Sequence, residues 1–339
     1  MKAFRWTGRN EVALEDVGEP LLTNQDDVKV RVGSVGVCTT DFHIIEGCFG
    51  DYAPLTMGHE IAGVVTETGS GVTGLEAGQP VALQPTFFCG DCDTCRRGLM
   101  HLCPNRGFSG LNRNGGFAEF MVAPAVNWIP VSSEVGHDRA CLAEPLACVL
   151  HALDILDPSS GDSLCLAGAG ISAYLFVEAL KAAGWPPESL LVSGLRDAPL
   201  RVISDRGVST VNVRTGDLRL AVHDHFGPSG PDVFIDMTGS RDVIDTGLEV
   251  LARRGILFLY AYMPNAEMFN FGRMQLAENT VLTSTGAPDT MPRAAEYIQK
   301  GVVDLDPMVT HQREADEFED AFRYAQANHG DHVKTVVGF

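Results

Sequence analysis

The sequence predicts a two-domain protein: a doubly wound parallel α/β sheet, and a mostly β domain that carries a metal lobe. Three observations predict it. Four cysteines, Cys89, Cys92, Cys95 and Cys103, crowd into CGDCDTCRRGLMHLC. The first 130 residues set short β-branched runs between Gly, Pro and Asn turns, as in DVKVRVGSVGVC and IAGVVTETGSGVTG. From residue 163 the rhythm changes to apolar strands alternating with helical runs, which is the pattern of a parallel sheet.

Length and composition fit that division. A chain of 339 residues suits two domains and can bury substantial cores. The net charge of −19, from 25 basic and 44 acidic residues, makes a field that repels phosphate backbones, so no nucleic-acid partner is expected. The opening MKAFRWTGRNEV has no apolar h-region, and no stretch approaches the 18 apolar residues of a membrane span. Clustered thiols in such a chain point to a reducing cytoplasm and to metal rather than disulfides.

Along the β domain, PVALQP and GGFAEFMVAP continue the strand-and-turn pattern. Residues 144–156, EPLACVLHALDIL, read as a helix burying most of its faces and linking the two halves. SLCLAG is then a short strand, followed by glycines and the helical run AYLFVEALKAAG, closed by Gly184. Strand LLVSG, a helical piece near 198–206, strand PDVFIDMTG, helix 240–252 and strand GILFLYAYM complete the alternation. The last segment, from MPRAAEYIQKG to HVKTVVGF, mixes a helix with short strands and is expected to return to the first domain. The expected division is therefore 1–147 with 286–339, and 148–285.

The four cysteines are spaced C-x2-C-x2-C-x7-C. Two-residue gaps turn successive thiolates toward one point, and four of them make the closed sulfur shell of a structural zinc. An iron–sulfur cluster or unliganded thiols are the alternatives. GVCTTDFH holds Cys38, Thr40, Asp41 and His43, and MGHEIAG holds His59 and Glu60. Thiolate, imidazole and carboxylate are what a catalytic zinc uses when it keeps one position open. The third ligand is Glu60 or a distant acid, of which Glu144 in LAEPLAC is the best placed. A third constellation, LAGAGISA, sets Gly168, Gly170, Ile171 and Ser172 between an apolar strand and a helix. That is the context a dinucleotide fingerprint needs: the first glycine makes the tight turn, the second admits pyrophosphate, and the helix N-terminus supplies amide donors.

Taken in order, these motifs, with GGFAEFMV, EPLACVLHAL and the closing HVKTVV, give the chain a resemblance to the zinc-dependent medium-chain alcohol and polyol dehydrogenases. The resemblance covers essentially the whole chain. It implies a GroES-like catalytic domain with a structural zinc lobe, and a Rossmann domain. It also implies two zinc ions per chain, a nicotinamide cofactor and a small-molecule alcohol or ketone substrate. Carried over by position, it makes Cys38 and His59 catalytic-zinc ligands, with Glu60 and Glu144 as the accompanying acids. Thr40 takes the hydroxyl position that meets the substrate oxygen, and His43 the position that relays the proton to solvent. It further implies a homodimer or homotetramer, with GILFLYAYM as an apolar strand at a sheet edge that needs covering.

Departures from that pattern matter as much. NAD-using members end their second Rossmann strand with an Asp that binds the ribose. Here LLVSGLRD has Gly194 at that place and Arg196 two residues on, with Arg214 after the next strand. An Asp at 194 would repel a 2′-phosphate, whereas Gly194 is expected to leave room for it and the added guanidinium groups to favour it. NADP(H) is therefore expected over NAD(H), the alternative, while a zinc-binding protein without catalysis is the reading from another class. Asp197 lies too late in the turn to replace the missing acid. Cys48, Cys141, Cys148 and Cys165 lack ligand spacing and read as small buried hydrophobes. Phe49, Tyr52, Phe88 and Phe108 flank the metal segments and either wall a pocket or pack a core.

Overall fold

The computed structural model describes residues 1–263, 271–286, 289–327 and 331–339. The chain forms two compact units: Met1–Cys148, Gly286–His329 and Lys334–Phe339 make one, Val149–Thr285 and Gly330–Val333 the other. The C-terminal segment thus leaves and re-enters the first unit. Gly330–Val333 falls in the second unit, although 286–339 was expected to form one block with the first. A reason is visible at His332, whose carbonyl accepts a hydrogen bond from the Arg196 guanidinium of the second unit.

In the first unit a seven-stranded sheet is built around the strand Asp27–Gly36. Strand Glu60–Thr68 pairs with it antiparallel on one side, and the C-terminal strand Lys334–Gly338 pairs antiparallel with its Ser34–Gly36 end on the other. Alternation in DVKVRVGSVG places Val28, Val30 and Val32 in the core with Phe4, Trp6 and Phe117. Phe318, from the returning segment, joins them: its ring stacks on Phe4 at 3.7 Å and meets Phe117 edge-on at 4.7 Å. An apolar core that takes residues from both ends of the chain is what makes the unit discontinuous.

The second unit is a six-stranded parallel sheet: β1 (Leu164–Ala167), β2 (Leu190–Gly194), β3 (Ser209–Asn212), β4 (Val233–Asp236), β5 (Ile256–Leu259) and β6 (Thr280–Thr283). Its order is 3-2-1-4-5-6, so the strand order reverses between β1 and β4, the kind of point at whose carboxyl ends open α/β sheets bind their ligands. The strand read in GILFLYAYM is the four-residue β5. It is not at an edge, because β4 and β6 pair with it on both sides. The edges are β3 and β6, and of the two it is β6, TVLT, whose residues are mostly exposed. The sequence pattern above assigns no strand between 263 and 291, although the β-branched run of β6 is a usable signal. Among the described residues no helix is long and apolar enough to cross a membrane.

Candidate active site and metal centres

The strand Asp27–Gly36 ends where the first centre begins. Cys38 is the N-cap of a short helix, α1 (Thr39–Ile45), and Asp41 sits at its third position. One carboxylate oxygen of the fully buried Asp41 accepts the Cys38 amide at 2.9 Å. The other lies 3.3 Å from Nδ1 of His59. Asp41 therefore orients both the thiol-bearing residue and the imidazole. It leaves Nε2 of His59 as the nitrogen open to a metal, the arrangement of a carboxylate behind a ligating histidine. Asp41 was noted in the sequence but given no role. Its signal was the carboxylate three residues after an N-cap.

Sγ of Cys38, a ring nitrogen of His59 and a carboxylate oxygen of Glu60 lie within 4.8 Å of one another. Glu60 is in turn held by the ε-ammonium of Lys334, with Nζ 2.6 Å from Oε1 and 2.5 Å from Oε2, both residues almost fully buried. The backbone explains how strands two apart can meet. Glu60 is the partner of Gly36 in one register and Val336 its partner in the other, so Lys334, two residues before Val336, shares their face. A Cβ on Gly36 would stand 2.0 Å from Glu60 Oε2 and 3.0 Å from Lys334 Cε. Glycine is required here because the ion pair occupies that space. Lys334 lay within the quoted HVKTVV, yet nothing local in the sequence pointed to its partner.

Electrostatics at this centre favour added positive charge. Burial opposes the His59 imidazolium, but Asp41, with help from Cys38, outweighs it and holds the His59 pKa well above its ordinary value. Burial likewise opposes the Lys334 ammonium, and Glu60 with Cys38 raises its pKa overall. Glu144 starts the helix α2 (Ala143–Leu156) and lies outside the close cluster. Burial pushes its pKa up to about 7, against the pull of His59, and Glu60 adds to the rise. Cys148 Sγ touches Glu144 Oε1 at 3.5 Å, so this thiol faces the site and is not simple core filling. Cys141 and Cys165 are buried as expected, whereas Cys48 is half-buried. Thr40 and His43 are both half-buried on α1, three residues apart and so on one face. The Phe108 ring lies 5.3 Å from the His59 imidazole and walls the site, while Phe49 packs on the core. Phe88 is half-buried and Tyr52 largely exposed.

The four-cysteine lobe is preformed. Cys103 lies 3.6 Å from Cys89, Cys92 3.9 Å from Cys103, and Cys89 4.0 Å from Cys95, sulfur to sulfur. Zinc ligands about 2.3 Å from the ion stand roughly 3.8 Å apart at the corners of a tetrahedron, so these sulfurs fit that ion. The Cys95 amide donates to Cys92 Sγ at 3.4 Å and draws the Cys92 thiol down to about 7, a step toward the thiolate a metal needs. Burial pushes Cys95 up to about 12, which is the cost an ion would relieve.

In the second unit Gly168 has φ +119 and its amide donates to the Ser193 carbonyl at 2.9 Å, making the tight turn after β1. Gly170 caps the helix α3 (Ile171–Ala182) without a side-chain partner, and a Cβ there would meet nothing within 4 Å. Ile171 and Ser172 follow as the first helical residues. The loop thus offers free space and backbone amides at the switch point of the sheet. Gly194 ends β2, but the room expected there is absent: a Cβ would lie 2.5 Å from that of Ala169 in the glycine loop. Close packing of β2 against the loop, not vacancy for a phosphate, accounts for this glycine. Arg196 is half-buried and bonded to the His332 carbonyl, Asp197 accepts from Asn212 Nδ2 at 2.6 Å, and Arg214 is exposed just past β3.

The alcohol dehydrogenase GroES-like domain family matches residues 24–133, which include both cysteine-bearing centres except Glu144. An L-threonine 3-dehydrogenase of Pyrococcus abyssi is 31% identical over 94% of this chain and 92% of its own length. The chain belongs to the zinc-type medium-chain alcohol and polyol dehydrogenases. Like other members of this family, it has a parallel Rossmann sheet and a mostly β GroES-like domain. A sorbitol dehydrogenase of Halalkalibacterium halodurans is 27% identical over 99% of both chains. A Sinorhizobium meliloti protein taken as a zinc-binding dehydrogenase, solved with NADP bound, superposes with TM-score 0.92 at 28% identity over 100% of this dehydrogenase and 99% of that chain.

Orientation of His59 by Asp41 gives a direct test. Asp41→Asn is expected to weaken zinc at the Cys38 centre roughly ten- to a hundredfold, the usual cost of losing such a carboxylate. Chelator competition should show one ion released early and the four-cysteine ion retained. Release of both together, or of neither, would refute the role given to Asp41.

Proposed function

We propose that this dehydrogenase binds two zinc ions and transfers a hydride between NADP(H) and a secondary alcohol, polyol or cyclitol, or reduces the corresponding ketone. The observation that carries the proposal is the convergence of Cys38, His59 and Glu60 on one point, backed by Asp41 and Lys334. Their mixed sulfur, nitrogen and oxygen donors suit a zinc that keeps a position open. Bound there, zinc would polarise the substrate oxygen and lower an alcohol's pKa toward neutrality.

This chain's own residues supply the rest. In oxidation Thr40 takes up the hydroxyl proton of the alcohol as it passes its own toward His43, about one turn further along the same face of α1, which delivers it to water. The carbinol carbon loses its hydride to nicotinamide C4, leaving a carbonyl; reduction reverses both transfers. Phe108 keeps one side of His59 apolar. The four-cysteine ion has no open position and acts as a structural clip. The carboxylate-rich centre and the sorbitol dehydrogenase relative support a polyol-type substrate.

For the cofactor, β2 ends without a carboxylate, and Arg196 and Arg214 stand after β2 and β3. Gly194 and Asn212 are neighbours in register, which brings the two segments to one end of the sheet. The NADP-bound Sinorhizobium relative supports the same preference. The second reading, NAD(H), draws on the bond from Arg196 to the His332 carbonyl, which a 2′-phosphate would have to displace. Association into a dimer or tetramer is proposed from the exposed edge of β6.

Cys38→Ser should abolish turnover with every alcohol tested and lose about one of two zinc equivalents by metal analysis; a variant that keeps both ions and its activity would overturn the centre. Arg196→Ala should raise KM for NADP(H) by about ten- to a hundredfold, as expected for one charge-assisted bond to phosphate, and leave NAD(H) nearly unchanged. A wild type with the higher kcat/KM for NAD(H) would decide for the second reading. Gly194→Asp is not a clean companion test, since its Cβ would push against Ala169. Light scattering at micromolar concentration should give a mass of two or four chains, and a monomer would refute association.

A further inference from the structure

The C-terminus of α1 brings together three side chains with metal-ligand atoms, none of them shared with the group of Cys38, His59 and Glu60. Glu46 is its C-cap and Gly47 follows with φ +81, a conformation that favours glycine. The Gly47 amide donates to the Ile44 carbonyl at 2.9 Å, and the Cys48 amide to the His43 carbonyl at 3.0 Å. This pair of bonds is a Schellman closure, which folds the residue two beyond the cap back over the residue three before the cap. That contact is commonly apolar. Here it joins Cys48 to His43, with the Glu46 carboxylate beside both.

As a result, Sγ of Cys48, a ring nitrogen of His43 and a carboxylate oxygen of Glu46 lie within 4.8 Å of one another. Glu46 Oε2 is 3.6 Å from His43 Nδ1 and 4.0 Å from Cys48 Sγ. The donor set repeats that of Cys38, His59 and Glu60. Its setting differs: those residues are mostly buried, whereas Glu46 is exposed and His43 and Cys48 are half-buried. Ions can therefore enter and leave from solvent.

We propose that His43, Glu46 and Cys48 form a third, exchangeable metal site that takes zinc or a similar borderline divalent ion, with water completing its shell. One thiolate, one imidazole and one carboxylate suit such an ion better than magnesium or calcium, which prefer oxygen alone. Binding releases the Cys48 thiol proton to solvent. All three ligands come from six consecutive residues held by one glycine turn, so the site needs no other element to form. Its occupancy ties up the His43 imidazole. On the relay role proposed above, which this consequence alone rests on, a bound ion stops proton delivery and excess zinc inhibits turnover.

The test uses the zinc-loaded, dialysed enzyme titrated with cobalt(II), with zinc content checked before and after. Wild type should take up one further equivalent, with a thiolate-to-cobalt charge-transfer band and visible bands of low coordination number. Cys48→Ser should lose the charge-transfer band, and both it and Glu46→Gln should weaken uptake by at least about tenfold, since losing a ligand should cost no less than losing its supporting carboxylate. Turnover without added metal should be unchanged in both. Equal cobalt binding and spectra in wild type and Cys48→Ser would overturn the site. In a parallel assay, added zinc should inhibit wild type at a concentration at least about tenfold lower than Cys48→Ser, again from loss of a ligand. Cys48-dependent cobalt binding without zinc inhibition would uphold the site and overturn only the relay role of His43.

Discussion

The buried ion pair between Glu60 and Lys334 is the constraint on which the first unit depends. It joins a strand near residue 60 to the last strand of the chain across a central strand reduced to glycine at the crossing point. For that pair to close, the chain must leave for the second unit and come back. Breaking such a pair by removing one partner costs about 3–5 kcal/mol, yet replacing both with apolar groups is often neutral. Stability alone therefore does not explain its retention. Its position beside Cys38 and His59 does: Lys334 fixes the Glu60 carboxylate at the point where those two donors converge.

A second constraint acts through Asp41. With one oxygen on the Cys38 amide and the other near His59 Nδ1, a single buried carboxylate fixes two ligands from different elements. Fixing the outward-facing groups first is what lets the inward-facing sulfur and nitrogen converge without a metal to gather them. The four-cysteine lobe reaches the same end differently, by tight local turns and an amide-to-sulfur bond within one short segment. Contacts between separate elements organise one centre, and sequence-local geometry the other.

The second unit works by backbone shape. Gly168 permits the turn, Gly170 leaves open space before α3, and the strand order reverses there. Gly194 shows how one residue can be given the wrong physical reason. It looked like a vacancy where a carboxylate would repel phosphate; it is instead a contact surface for the glycine loop.

What the sequence determined by itself was whatever depends on neighbours along the chain. Cysteine spacing, the glycine loop between strand and helix, and the change of rhythm near residue 163 foretold both folds and pointed to the candidate site residues, because local geometry and periodicity carry that information. The helices at 144–156 and 240–252 lie within a few residues of Ala143–Leu156 and Arg241–Val250 for the same reason. Only the tertiary structure decided which strand forms the exposed edge, that Asp41 serves His59, and that Lys334 serves Glu60. Each of those depends on strand order or on contacts between residues far apart, up to 274 positions for the Lys334–Glu60 pair, and no local pattern encodes a partner at that distance.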